Sequence, residues 1–203
     1  MENVQSSWSS VTQGIYKAVL LYVFAGIASA LFGFIGTLTG VLGAMESGNV
    51  EDVVSFGFWD IMDLVASLAV VAGYILFYIG LNKWRTIADA NDATAINKLR
   101  IAALLTMIGS VVAFVPAAGA VIAFILNIVA FILMLQGYSA LKNSTTLPEG
   151  AREGARKLHT AMVLNIVAIL TGWIPVIGWV AAPILQLIAF FKVLNGWKAI
   201  ANS

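Results

Sequence analysis

The chain has 203 residues, of which 61% are hydrophobic and only 10% are charged, and its mean hydropathy is +0.94. Soluble domains carry about 25% charged residues, and a domain of this size has no room to bury so much apolar side chain. This composition excludes a soluble enzyme, a nucleic-acid-binding domain and a disordered chain, and it predicts an integral membrane protein. The net charge of +1 indicates no acidic partner.

The N-terminal residues 1–14 are polar, and no Lys or Arg precedes Lys17. A cleavable signal peptide needs a basic segment followed by a short apolar core, so we expect the first apolar stretch to stay in the mature protein. The chain also has no cysteine and one histidine, His159. These counts exclude disulfides, thiolate metal sites and a multi-histidine cage within one chain, and we expect no metal and no cofactor.

Four apolar stretches follow along the chain. A crossing helix needs about 20 apolar residues, which residues 14–43 and 61–81 supply singly. The stretches 101–141 and 161–200 are twice as long, and each must fold back because a helix of that length would reach ~60 Å. The reversals are predicted at Pro116 and Pro175, each followed by a glycine three residues later. The predicted transmembrane helices are 15–43, 59–81, 98–115, 117–141, 157–174 and 176–200.

This arrangement of six helices places all eleven basic residues on one side of the membrane. The other side carries only acidic residues, namely Glu46, Glu51, Asp52, Asp60 and Asp63. The positive-inside rule then predicts a plasma (inner) membrane protein with both termini in the cytoplasm. Aromatic residues fit as interfacial belts, with Trp84, Tyr138 and Trp197 at the basic ends and Trp59, Trp173 and Trp179 at the opposite ends. An alternative topology makes the last two hairpins re-entrant wedges that dip into one leaflet.

The chain contains an internal repeat. Residues 98–144 align with residues 157–203 at an offset of 59 without a gap, and Pro116, Gly119 and Gly137 meet Pro175, Gly178 and Gly196. A fainter copy covers about 15–88 and contains an acidic insertion at about 44–60. We therefore predict one transmembrane domain, residues 1–203, built from three parallel-repeat helical hairpins. The helix–Pro-turn–helix pattern is similar to that of short-repeat bacterial membrane proteins of the HdeD acid-resistance type. The likeness covers hairpin number and turn style, and it implies no activity and no site residue.

Small residues recur at steps of three and four along every predicted helix. Membrane helices associate through close packing at small residues and through interhelical hydrogen bonds, so these stripes predict a packing seam that faces the interior of one bundle. The predicted seam residues are Gly26, Gly33, Gly73, Gly80, Gly109, Ala130, Gly137, Ala189 and Gly196.

Four polar residues fall on the same stripes at mid-membrane depth: Thr106, Asn127, Asn165 and Gln186. We interpret this midplane polar layer as interhelical hydrogen bonding, and the alternative is a path for a small neutral solute. No ionisable residue is expected beside the layer, whereas pumps and coupled carriers usually need one. Lys192 is expected at the interface, where its side chain can snorkel to the headgroups.

Other polar groups are expected at the surface. His159 is interpreted as an interfacial polar residue, and the acidic insertion lacks the close carboxylate spacing of a calcium loop. Two basic clusters that topology alone explains are also candidates for contact with anionic lipid. They are Lys83, Arg85, Lys98 and Arg100, and Arg152, Arg156 and Lys157.

No catalytic or nucleotide-binding motif occurs in the chain, and we expect no enzyme and no nucleic-acid partner. The leading hypothesis is a non-catalytic multi-pass subunit, scaffold or stress-related factor of a bacterial-type membrane. The alternatives are a channel or facilitator for a small neutral solute, and a membrane-shaping hairpin protein. Candidate partners are the lipid bilayer, anionic lipids, another membrane protein and a second copy of the chain.

Overall fold

A computed structural model describes residues 2–48, 57–112, 115, 118–175 and 177–203. Within these ranges the chain forms six helices and no strand. The helices are α1 (Glu2–Ser47), α2 (Phe58–Ile87), α3 (Ala90–Val112), α4 (Gly119–Lys142), α5 (Glu149–Gly172) and α6 (Ile177–Ala201). The predicted all-helical class and the number of helices are confirmed for the described part of the chain.

Five of these helices are long and apolar enough to cross a membrane, counting the described residues alone; they are α1 to α4 and α6. Helix α5 differs because its first half, residues 149–160, is polar and only residues 161–172 form its apolar half. Twelve residues of helix reach ~18 Å, against a hydrocarbon thickness of about 30 Å. The structure thus supports a multi-pass membrane protein with five candidate spans.

The chain divides into two compact units. Unit 1 comprises Met1–Lys17 and Ile75–Ser203, and unit 2 comprises Ala18–Tyr74. Helices α1 and α2 each contribute to both units. Every Lys and Arg of the chain belongs to unit 1, and unit 2 contains none.

Three helices begin earlier than their apolar segments predict. Helices α1, α3 and α5 start at residues 2, 90 and 149, whereas the predicted starts were 15, 98 and 157. The extra turns of α3 and α5 bury apolar side chains outside the long apolar stretches, including Ala95, Ile96, Ala151 and Ala155. An acidic residue in the first turn, Asp92 in α3 and Glu149 in α5, opposes the positive end of the helix dipole. A search for apolar spans misses such extensions because packing, and not membrane crossing, stabilises them.

In unit 1 the helices approach each other at small residues. A β-carbon on Gly137 would lie 2.6 Å from Leu99 Cδ2, and one on Gly196 would lie 2.7 Å from Leu158 Cγ. A β-carbon on Gly80 would likewise lie 2.6 Å from Ile15 Cγ1. The remaining predicted seam residues of this unit, Gly109, Ala130 and Ala189, are buried. A larger side chain at any of these three contacts requires the neighbouring side chain or its helix to shift.

Unit 2 shows similar packing between its portions of α1 and α2. A β-carbon on Gly73 would lie 2.7 Å from the Tyr22 backbone nitrogen, and the Tyr22 and Tyr74 rings stack with centroids 4.5 Å apart. Gly26 and Gly33 are half-buried. Their added β-carbons would make ordinary van der Waals contacts, 3.9 Å to Val70 for Gly26 and 3.6 Å to Asp63 Oδ2 for Gly33.

The chain reverses between α5 and α6 in a tight turn that contains Pro175. The Gly178 N–H donates to the Ile174 carbonyl at 2.8 Å, and a β-carbon on Gly178 would clash with the Thr171 carbonyl oxygen. Between α3 and α4, the Gly119 N–H donates to the Val115 carbonyl at 3.1 Å. A β-carbon there would clash with the Val112 carbonyl oxygen. The predicted turn residue Pro116 lies outside the described residues.

The interpretation of Trp84, Tyr138 and Trp197 as an interfacial belt is wrong. Trp84 and Trp197 are fully buried and Tyr138 is 3% exposed. The Trp84 and Tyr138 rings pack edge to face on Trp197, with centroid distances of 6.0 Å and 6.2 Å. The Phe77 ring packs on Trp197 in the same way, with a centroid distance of 5.4 Å. These aromatic residues form a core in unit 1 because they face neighbouring helices. Trp173, by contrast, is 84% exposed, and the Trp179 side chain lies outside the described part of the structure.

Candidate functional site

The four residues of the predicted midplane polar layer do not hydrogen-bond to one another among the described residues. The Thr106 hydroxyl donates to the Ala102 carbonyl of its own helix at 3.1 Å. Asn127 lies against Gly109, whose added β-carbon would be 3.6 Å from Asn127 Oδ1. Asn127 and Gln186 are exposed, and Asn165 is half-buried. The structure therefore does not join the four side chains into one polar site.

Asn127 lines a groove of about 380 Å³ between α4 and α5. The rest of this groove is apolar and includes Phe124, Phe131, Ile166 and Ile169. A single amide in an apolar groove offers two N–H donors and a carbonyl oxygen acceptor, which can orient a ligand but cannot transfer a proton. The groove therefore carries no acid–base chemistry.

Unit 2 contains an interhelical carboxylate cluster that the sequence analysis missed. The Ser29 hydroxyl of α1 donates to Asp63 Oδ1, and the Ser67 hydroxyl lies 3.5 Å from the same oxygen. The two hydroxyls are 3.1 Å apart. Asp63, predicted on the acidic side of the membrane, lies near the start of α2 and contacts α1. The spacing of Asp63 and Ser67, four residues on one helix face, was the available signal.

This cluster links α1 and α2 through the Asp63 carboxyl group and the hydroxyls of Ser29 and Ser67. An ionisable side chain at membrane depth is costly and normally has named partners, and here the partners are Ser29 and Ser67. No group of three metal-ligating His, Cys, Asp or Glu side chains occurs among the residues that the structure describes. The arrangement can fix the contact between the two helices by hydrogen bonds.

The acidic insertion is only partly described. Glu51 and Asp52 lie outside the described residues. Asp60 lies in the first turn of α2, where its Oδ2 accepts a 2.7 Å hydrogen bond from the Gly57 N–H. This contact satisfies a backbone donor near the start of the helix.

A second cavity lies on unit 1, where α4 ends and the polar half of α5 meets α6. Its volume is about 380 Å³. We call it the cationic pocket because five of its lining side chains are basic and two are acidic, an excess of three positive charges. The charged lining residues are Lys142, Arg152, Arg156, Lys157, Lys192, Glu149 and Glu153.

The side chains of the cationic pocket are only partly paired. Lys157 Nζ binds Glu153 Oε1 at 2.8 Å, and this ammonium holds the pKa of the Glu153 carboxyl below its usual range. Arg152 Nε is buried and has no hydrogen-bond partner in the structure. A buried guanidinium N–H without an acceptor is costly.

His159 lies next to the pocket, beside Lys142. Lys142 Nζ is 3.3 Å from His159 Nδ1 and 3.4 Å from Nε2. Partial burial and then the Lys142 charge lower the pKa of the imidazole. The neutral ring is therefore favoured near neutral pH. In this form one ring nitrogen can accept a hydrogen bond, and the ring adds no positive charge to the pocket.

Three of the four side chains in the other predicted basic cluster have partners within the chain, and the fourth, Lys83, is exposed. Arg85 donates to Asn97 at 3.2 Å, and Lys98 donates to Gln136 at 3.1 Å. Arg100 donates to Asn82 at 2.9 Å and lies 5.8 Å from the centroid of the Tyr78 ring. These contacts tie helices together, which distinguishes this cluster from the cationic pocket.

A buried carboxylate holds the link between α4 and α5 in place. Asp92, at the start of α3, is 5% exposed and accepts hydrogen bonds from the Ser144 and Thr146 hydroxyls. The Ser144 oxygen also accepts from the Leu147 N–H at 3.1 Å. This network fixes the segment that precedes α5, and α5 supplies most of the cationic pocket.

Comparisons with known proteins identify no relative: no protein family, no curated protein and no solved structure matches the chain.

Proposed function

We propose that this chain is a non-catalytic multi-pass membrane protein that acts as a subunit or scaffold of a bacterial-type plasma membrane. The observation that carries the proposal is the separation of small and large side chains on the helices. Small residues such as Gly137 and Gly196 make the close contacts, while Val121, Phe124 and Leu170 are more than 60% exposed. Such a surface needs lipid or another membrane protein to cover it.

The proposed architecture is three parallel-repeat hairpins. Support comes from contacts that recur at an offset of 59 residues in the last two hairpins. The contact of Gly137 with Leu99 corresponds to that of Gly196 with Leu158, and the obstruction of Gly119 by Val112 corresponds to that of Gly178 by Thr171. Equivalent packing at equivalent positions is expected of two copies of one hairpin.

The proposed topology has six crossings, with both termini cytoplasmic. Its support is that six crossings place all eleven basic residues on one side of the membrane, together with the polar helix extensions that begin α3 and α5 on that side. The apolar half of α5 would make the fifth crossing, the shortest of the six.

The proposal predicts that the protein does not conduct small neutral solutes. The test is stopped-flow light scattering on vesicles containing the purified protein, with glycerol and urea as solutes and protein-free vesicles as the control. We expect equal permeability in both, because Thr106 bonds within its own helix and the other polar-layer residues do not meet. A solute flux that disappears in a folded Asn127→Leu, Gln186→Leu double variant would replace the scaffold with a channel.

A further inference from the structure

The cationic pocket combines charge and volume in one place. Its five basic side chains come from three helices, α4, α5 and α6. Only Lys157 has an ion pair within the pocket, with Glu153. Neighbouring like charges repel one another, so an arrangement with three excess positive charges favours an anionic ligand.

The chemistry of the lining favours an oxyanion. Arg152 and Arg156 line the pocket, and a guanidinium presents its N–H groups in a planar fork that matches phosphate and carboxylate oxygens. Lys142 and Lys192 supply further charged donors around the same cavity. Phosphate, with its several oxygens, can accept from more than one of these groups at once.

The position of the pocket indicates where the phosphate comes from. Thr160, which lines the pocket, is the last residue before the apolar half of α5. Lys192 of α6 follows Phe191, whose side chain is 53% exposed. The pocket therefore lies where the helix surface changes from polar to apolar, which in a membrane protein is the level of the lipid headgroups.

We propose that the cationic pocket binds the phosphate group of an anionic phospholipid headgroup. The proposal rests on the proposed membrane placement of the chain and adds a defined ligand site to it. Free phosphate has the same chemistry, so the experiment must separate a lipid from a soluble source.

The test uses the full-length chain, purified in a neutral detergent and freed of lipid, and measures binding by native mass spectrometry. The probes are phosphatidylglycerol, phosphatidylcholine (whose choline neutralises the phosphate) and inorganic phosphate. We expect phosphatidylglycerol to bind about tenfold more strongly than phosphatidylcholine, because the excess positive charge of the pocket repels the choline ammonium and attracts the net negative charge of phosphatidylglycerol.

Two variants remove the pocket's donors: Arg152→Gln, and the pair Arg156→Gln with Lys192→Gln. The matched control is Lys83→Gln with Lys198→Gln, because both of those lysines are exposed and lie outside the pocket lining. Thermal unfolding followed by circular dichroism identifies the variants that keep the wild-type midpoint temperature. Each pocket variant that does so is expected to lose the preference for phosphatidylglycerol, whereas the control keeps it. The paired variant remains informative if Arg152→Gln does not fold, since Arg156 is exposed.

Three outcomes would overturn the proposal. Equal losses in the pocket and control variants would indicate diffuse attraction to surface charge. A wild-type protein with no preference between the two lipids would exclude a headgroup site. Inorganic phosphate that binds through the pocket side chains and displaces phosphatidylglycerol would assign the site to a soluble ligand. None of these results would contradict the proposal that the chain is a membrane scaffold, which the solute-permeability experiment tests separately.

Discussion

At the scale of single residues, side-chain volume decides how closely the helices approach. Ala130 and Ala189 are each 1% exposed, whereas Val121 on α4 is 61% exposed. A methyl group fills the available space at the two alanines, and anything larger must push against a neighbouring helix. The positions of these alanines were predictable because their spacing follows the stripe of small residues on each helix.

This packing predicts different responses to phenylalanine at three positions. Ala130→Phe and Ala189→Phe should each destabilise the protein by about 1–3 kcal/mol, as is typical of overpacking. Val121→Phe should leave the stability unchanged because its side chain points away from the protein. Thermal unfolding in detergent, followed by circular dichroism, measures all three. Equal stability of the three variants would contradict the packing seam.

Aromatic residues show what a residue-level interpretation lacks. Trp84 and Trp197 occupy positions near the ends of apolar stretches, where tryptophan is typical of the membrane interface. Both are nevertheless fully buried. Position along a helix fixes the depth of a side chain, but the direction in which it points depends on the neighbouring helices, and no local pattern reports that direction.

At the scale of elements, α5 is the predicted crossing helix that is not a candidate span among the described residues. The prediction began the helix at residue 157, but the helix begins at Glu149, so half of it is polar. Its partner α6 is apolar over most of its length. The two helices of this hairpin therefore cover different lengths of apolar surface, although they pack closely at Gly154 and Gly196.

A cysteine at the α5–α6 turn tests whether α5 crosses the membrane. Trp173 is 84% exposed, so Trp173→Cys should fold, and the natural chain has no cysteine to interfere. We expect an impermeant maleimide to label this cysteine in intact cells, because a crossing places the turn on the outer side. Labelling that requires detergent would indicate a re-entrant wedge and would favour the membrane-shaping hypothesis.

At the scale of the whole molecule, the distribution of charge predicts the orientation of the chain. Basic residues near the ends of membrane helices are retained on the cytoplasmic side, and the six-helix arrangement places all eleven of them on one side. The acidic insertion between α1 and α2 carries residues expected on the outer side.

Single cysteines on the two predicted sides test this orientation. Ser47→Cys, at the end of α1, should react with an impermeant thiol reagent in intact cells, and Thr145→Cys should react only after permeabilisation. Thr145 is preferred to its neighbour Ser144 because the Ser144 hydroxyl binds Asp92, whereas Thr145 is exposed. The reverse labelling pattern would contradict the six-crossing topology.

The sequence by itself determined the membrane class, the number of helices and some of the positions where they approach, such as Gly80, Gly137 and Gly196, because apolar length and small-residue spacing are local properties. Only the tertiary structure decided which side chains meet across the chain. Asp92 binds Ser144 over 52 residues, and Asp63 binds Ser29 over 34. The cationic pocket likewise draws its side chains from three helices. Such sites depend on the relative rotation and register of packed helices, which the order of residues along one helix does not specify.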